Sequence, residues 1–271
     1  MLNKILNRSQ NSLDKNKINI LRLIRTDGIG PKTFYNIINY YGDATKAIEH
    51  LPEFYKRINK KPQEIAKIDD AEKEIAELHK IGADMVCYNE DSYPKLLLQI
   101  SDPPPVLSYK GRLNLANMNC ASIVGARNCS ISGKQLTAQL ASGLKSADIN
   151  VVSGLARGID TAAHEAALPS TIAVIAGGID NIYPPVIHKL DEKFSKDGLI
   201  FAELKICSVP LAMHFPQRNR IISGLSLATI IVEAGLNSGS LITAKFAMEQ
   251  NREIFACPGF PLDPRSKGSN K

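Results

Sequence analysis

The run Val151-Val152-Ser153-Gly154-Leu155-Ala156-Arg157-Gly158-Ile159-Asp160 constrains this chain more than any other stretch. Two β-branched apolar residues close a strand, a Ser-Gly turn follows, and a helical pattern runs on through Ala162, Ala163 and His164. Glycines at such a junction let the backbone pass close to a ligand, and the helix start offers unpaired N–H groups and a positive dipole end. The run therefore reads as an anion cradle, for phosphate above all, with Arg157 as a charged clamp beside Gly158. The run Ser122-Ile123-Val124-Gly125-Ala126-Arg127 repeats the device one strand earlier. Glycines that only shape a tight turn are the plainer alternative. Two Gly–Arg turns at consecutive strand ends favour the cradle, because in an open parallel sheet those ends face one crevice.

From residue 120 onward apolar runs alternate with helical patterns, as in a parallel sheet covered by helices. Strands are predicted over 121–124, 150–153, 171–175, 199–202, 228–232 and 253–256, with Leu136, Leu140 and Leu144 on one helix face. They are continuous apolar runs, as burial on both faces requires. The predicted fold is α/β, a Rossmann-like doubly wound and mostly parallel sheet. No GxGxxG follows any strand, so a nicotinamide or flavin cofactor has no support and no cofactor is expected.

The first 82 residues read differently. Residues 1–16 are polar and expected to fray. Ile20, Leu21 and Ile24 keep helical spacing, and the chain turns at Asp27-Gly28-Ile29-Gly30-Pro31. A second helix carries Phe34, Ile37, Ile38 and Tyr41, and a third carries Ala44, Ala47, Ile48 and Leu51. Helix, Gly-Ile-Gly turn, helix resembles a helix-hairpin-helix or SAM-like module, whose turn amides can meet a DNA phosphate without reading sequence. A bundle with a purely structural hairpin is the other reading. A charged amphipathic helix with Ile68, Ala71, Ile75 and Leu78 leads to Gly82 and a short strand over 83–88. The expected organisation is a small all-α domain over 1–82 and the sheet domain over 83–271.

The formal charge of +6 suits a polyanionic partner without naming one. Five cysteines, at 87, 120, 129, 207 and 257, contain no CxxC pair. That excludes a zinc ribbon and a disulfide framework, and points to a reducing cytoplasm. No metal site, targeting segment or membrane anchor is expected.

The turns at 125–128, 153–158, 177–180, 214–223 and 233–240 are predicted to gather at the carboxyl ends of the strands. The run Gln217-Arg218-Asn219-Arg220 beside Phe215 joins phosphate donors to an aromatic face, the composition that holds single strands. A solvated helix cap is its plainer reading. An enzyme would need two acids in one pocket, for which Asp180 and Glu233 qualify, or a base such as His164. A lone His on a helix is more often a structural hydrogen-bonder.

The runs SIVGAR and VVSGLARGID are joined in order by Ala176-Gly177-Gly178-Ile179-Asp180 with Tyr183-Pro184. Phe215 to Gly224 (FPQRNRIISG) and Val232-Glu233-Ala234 with Ser238-Gly239-Ser240-Leu241-Ile242-Thr243-Ala244 complete the set. Together, from about Asp91 to the last residue, they resemble the DNA-processing protein A family of bacteria (DprA, also called Smf). The resemblance implies a non-catalytic protein of natural transformation and recombination that holds single-stranded DNA in the crevice and loads the RecA recombinase onto it. It implies DNA contacts at Gly125, Arg127, Ser153, Gly154, Arg157, Gly158, Phe215, Gln217, Arg218, Asn219, Arg220 and Ser223, and at Ser238, Gly239 and Ser240. Asp160, Asp180 and Glu233 are expected to orient arginines or cap turns, since carboxylates repel a polyanion. The alternative is a nucleotide hydrolase similar to the phosphoribohydrolases. Their PGGxGTxxE signature is only distantly approached by Cys257-Pro258-Gly259-Phe260.

The chain departs from the family pattern at Ser132, where an aromatic residue usually precedes the glycine, here Gly133. Family members also continue past Gly268-Ser269-Asn270-Lys271. The expectation is a truncated or split copy with its crevice intact and its homodimer weakened.

Overall fold

A computed structural model describes residues 15–181, 194 and 196–271. The expected frayed start thus lies almost wholly outside the described residues, as does Tyr183-Pro184. Five helices come first: α1 (15–25), α2 (Pro31–Tyr41), α3 (Ala44–Glu49), α4 (Leu51–Arg57) and α5 (Ile68–Lys80). The α1–α2 turn uses Gly28 at φ 77°, and Pro31 opens α2, where a missing N–H costs nothing. The single helix predicted across 44–51 is two helices broken at His50. Pro52 is the reason, since it cannot donate to the carbonyl of Ile48 and its ring crowds that turn.

The rest of the chain builds one eight-stranded sheet: β1 (Asp84–Cys87), β2 (Val106–Gly111), β3 (Cys120–Gly125), β4 (Asn150–Ser153), β5 (Thr171–Ile175), β6 (Leu199–Ala202), β7 (Ala228–Val232) and β8 (Glu253–Ala256). The order across it is β1-β2-β6-β5-β4-β3-β7-β8. Strands β6 through β8 in that order pair in parallel, and β1 and β2 extend the edge antiparallel. This is the Rossmann-like doubly wound fold. Ile123 and Val151 face one apolar cluster, while Val124 and Val152 face another. Helix α6 (Ile131–Ser146) and helix α7 (Ile159–Ala167) cover the first face. On the second face lie α8 (His214–Gly224), through Ile221 and Ile222, and α9 (Gly239–Glu249), through Leu241 and Ala244.

From β3 the sheet grows through β4, β5 and β6 in one direction, and through β7 and β8 in the other. The β3–β7 seam is therefore the topological switch point, where loops diverge to opposite faces and leave a crevice. The helical part joins the sheet through a continuous core. Ile20, Phe34, Ile37, Leu51 and Leu78 share one cluster with Met85, Cys87, Val106, Ala173 and Ile200.

Candidate nucleic-acid interface

A cavity of about 740 Å³ opens at the β3–β7 switch point. Its walls come from the β3–α6 turn (Gly125, Arg127), the first turns of α8 (Phe215, Arg218, Asn219), the start of α9 (Ser238, Gly239, Ser240) and Arg265. Gly125 is there because its β3 backbone runs against β7. A Cβ at that position would overlap the carbonyl oxygen of Val232. Gly158 has φ 81°, and a Cβ on it would lie 2.5 Å from the carbonyl oxygen of Arg127. These two glycines thus pack the two Gly–Arg turns against each other and against β7.

Arg218 forms the floor. The residue is 6% exposed, lies against Gly154, and its Nε has no hydrogen-bond partner. Burial first, and then the positive charge of Arg127, bring its pKa down to about 10, while Asp160 opposes the shift. Asp160 also lines the cavity and accepts N–H bonds from Gly154 (3.1 Å) and Ala156 (3.3 Å). Its carboxyl pKa is raised by burial, against the pull of Arg218. The mouth carries Arg127, exposed, with its guanidinium 5.2 Å from the centroid of the Phe215 ring. Asn219 donates to the carbonyl of Gly239 at 3.1 Å and so ties α8 to the start of α9. Ser238 caps α9, accepting from the N–H of Ser240, and the two hydroxyls lie 2.7 Å apart.

Several residues named from sequence sit elsewhere. The run 214–223 is helix α8, not a turn, so its side chains diverge. Arg220 points away from the cavity and pairs with Glu203, with its Nε 3.5 Å from Asp102. Ser153 is buried and donates to the carbonyl of Ile123 at 2.6 Å, closing β4 onto β3. Ser223 is buried and donates back to carbonyls of its own helix. Arg157 and Gln217 are exposed and, like Gly154 and Gly158, lie outside the cavity lining.

The proposed acid pair does not form a site. Asp180 accepts from the N–H of Cys207 (2.8 Å), and Glu233 accepts the N–H (2.8 Å) and the hydroxyl of Ser130 at the start of α6. Neither lines the cavity. His164 is fully buried, hydrogen-bonded to Thr171 at 2.7 Å and edge-on to Phe194, and burial lowers its pKa to about 3. It is a structural histidine. Among the described residues no His, Cys, Asp and Glu cluster could hold a metal, and no helix is long and apolar enough to cross a membrane.

Arg265 was missed. It lines the cavity while its guanidinium is held by Asp263 at 2.6 Å. The Asp-Pro-Arg turn after β8 was its signal, and nothing local shows that this loop returns over the switch point.

A family model described as DNA recombination-mediator protein A matches residues 84–271, and one for the DprA-like N-terminal HHH domain matches 14–76. The DNA processing protein DprA of Streptococcus pneumoniae is 45% identical over 182 residues, 66% of this chain and 64% of its own length. The X-ray structure of the Streptococcus pneumoniae protein superposes with a TM-score of 0.76 at 33% identity, covering 93% of this chain and 88% of that one. DNA processing protein A of Helicobacter pylori, whose structure describes a single-stranded DNA binding mode, superposes with a TM-score of 0.64 at 31% identity, over 70% of this chain and 89% of that one. On the match across the whole sheet region, this chain belongs to the DNA recombination-mediator protein A family.

Proposed function

We propose that this chain binds single-stranded DNA in the switch-point cavity, without sequence preference and without catalysis, as a mediator of transformation and recombination inside the cell. One observation carries the reading: Arg218 lies buried on the cavity floor with an unpartnered donor. A buried guanidinium left short of hydrogen bonds is costly, and an entering phosphate would pair its charge. Arg127 over Phe215 supplies a second cation and an aromatic face for a base, and the start of α9 turns the positive end of its dipole to the cavity. Phosphate contacts and stacking carry no base code.

The Helicobacter relative's single-stranded DNA supports the ligand class. Loading of RecA and formation of a homodimer extend the proposal by family resemblance. A hydrolase is disfavoured because Asp160, the carboxylate in the lining, is committed to backbone amides, while Asp180 and Glu233 hold donors on separate loops.

The test is fluorescence-anisotropy titration with labelled oligo-dT, duplex DNA and AMP. Native protein is expected to favour oligo-dT, with affinity falling as salt rises. Arg218→Ala should weaken binding by roughly 10- to 100-fold, the range for a charged hydrogen bond. Turnover of AMP with indifference to oligo-dT would overturn the proposal.

A further inference from the structure

Far along the helical part, four side chains form one row. The Arg57 guanidinium sits 4.4 Å from the centroid of the Tyr40 ring. Tyr40 meets Tyr41 edge-on at 4.7 Å, and Tyr41 stacks on His50 at 5.5 Å with the rings 8° from parallel. Tyr40 is 60% exposed, so this order is not the product of core packing. Lys56, Lys60 and Lys61 are exposed within the same stretch of chain as Arg57. Among the described residues none of these four cations has an acidic partner. The nearest acid on α4, Glu53, is held 3.3 Å from His50 at the other end of the row.

We propose that the end of α2 and the end of α4 form a second contact surface for single-stranded nucleic acid, with a base stacked on Arg57 and Tyr40 and its neighbouring phosphates on Lys56, Lys60 and Lys61. As to ligand class, this rests on the function proposed above. The surface is separate from the Gly28–Gly30 hairpin, because Tyr40 lies at the far end of α2. Ten residues of helix put it about 15 Å away. The chemistry differs too. A hairpin amide takes a backbone phosphate from duplex or single strand alike, whereas a guanidinium on an aromatic face needs an open base face. The row is already ordered by its own ring contacts, so a base meets a preformed platform and little side-chain freedom is lost on binding.

The experiment uses the full chain and long and short oligo-dT, with Tyr40→Leu, Tyr40→Phe and Arg57→Ala beside Arg218→Ala. Tyr40 is exposed, so these changes leave the fold intact, which circular dichroism checks. Tyr40→Leu is expected to weaken long oligo-dT by roughly tenfold, as losing one stacked base does, and Tyr40→Phe to restore it. A halogenated-uracil oligonucleotide should cross-link to a peptide containing Tyr40. Short oligo-dT, held in the cavity, should be untouched by Tyr40→Leu and lost with Arg218→Ala. If Tyr40→Leu binds long oligo-dT like the native chain, the second surface is overturned while the cavity reading stands. Equal losses for heparin and oligo-dT would overturn it as well, since stacking has no part in heparin binding. A native chain that binds neither oligonucleotide overturns both.

Discussion

At Gly154 one missing methyl decides where a charge sits. A Cβ there would overlap Arg218 Nη1 and lie 2.5 Å from its Cζ, so any larger residue displaces the guanidinium from the cavity floor. Gly154→Ala is therefore expected to weaken oligo-dT binding about as much as Arg218→Ala, with a thermal midpoint only a few degrees lower. Anisotropy and a melting curve measure both, and native-like affinity would remove Arg218 from the proposed contact. The sequence marked both residues, but it assigned the glycine's space to a ligand, not to the chain's own arginine. Gly125 and Gly158 were legible as a turn device in the same way. Ser153 and Ser223 were misread because residue type carries no direction. A hydroxyl fits a phosphate, and it fits the carbonyl of Ile123 equally well.

Helix α8 divides the Arg-Asn-Arg run between two jobs. Residues two apart on a helix lie about 200° apart around its axis, so Arg218 and Arg220 cannot serve one surface. Arg220 turns inward to Glu203 and Asp102, and its side chain is only 7% exposed. Removing one partner of a buried pair strands the other's charge. Glu203→Met is thus expected to cost about 3 kcal/mol in urea unfolding, and Arg220→Met a similar amount. The double substitution should recover much of the loss, because it leaves no buried charge alone and strands only Asp102, whose side chain is part-exposed and can be hydrated. Costs that simply add would mean the pair is not coupled. The strands were easy to see in the sequence because each is a closed apolar run. Helix α8 was not, since Arg218, Asn219, Arg220 and Ser223 are all polar and all buried, which erases the contrast that a helical period depends on.

Across the whole molecule, the sequence divides at residue 82, where helical pattern gives way to strands, but the apolar core does not. Ala83, Met85 and Cys87 pack in the same cluster as Phe34, Ile37 and Leu78. Phe34, Tyr35 and Tyr88 interlock edge-on across the junction at 5.4–5.6 Å. Arg25 of α1 holds Glu74 of α5 at 2.9 Å and also donates to the carbonyl of Glu203 at 3.5 Å. That carbonyl belongs to the residue whose carboxylate anchors Arg220 on α8, so the helical part is braced against the helix that carries Arg218. Pulling the helical part away would bare Met85, Cys87, Val106 and Ala173 to water, at a cost of about 25 cal/mol for each Å² of apolar surface. The two parts should therefore unfold together. The chain has no Trp, so tyrosine fluorescence, with Tyr35 and Tyr88 at the junction, reports on that contact while far-UV circular dichroism reports on the helices and sheet. Coincident urea transitions by the two probes are expected. A fluorescence change that precedes the dichroism change would mean that the helical part undocks first. In that case the brace through Glu203 could not be what holds Arg218 in place.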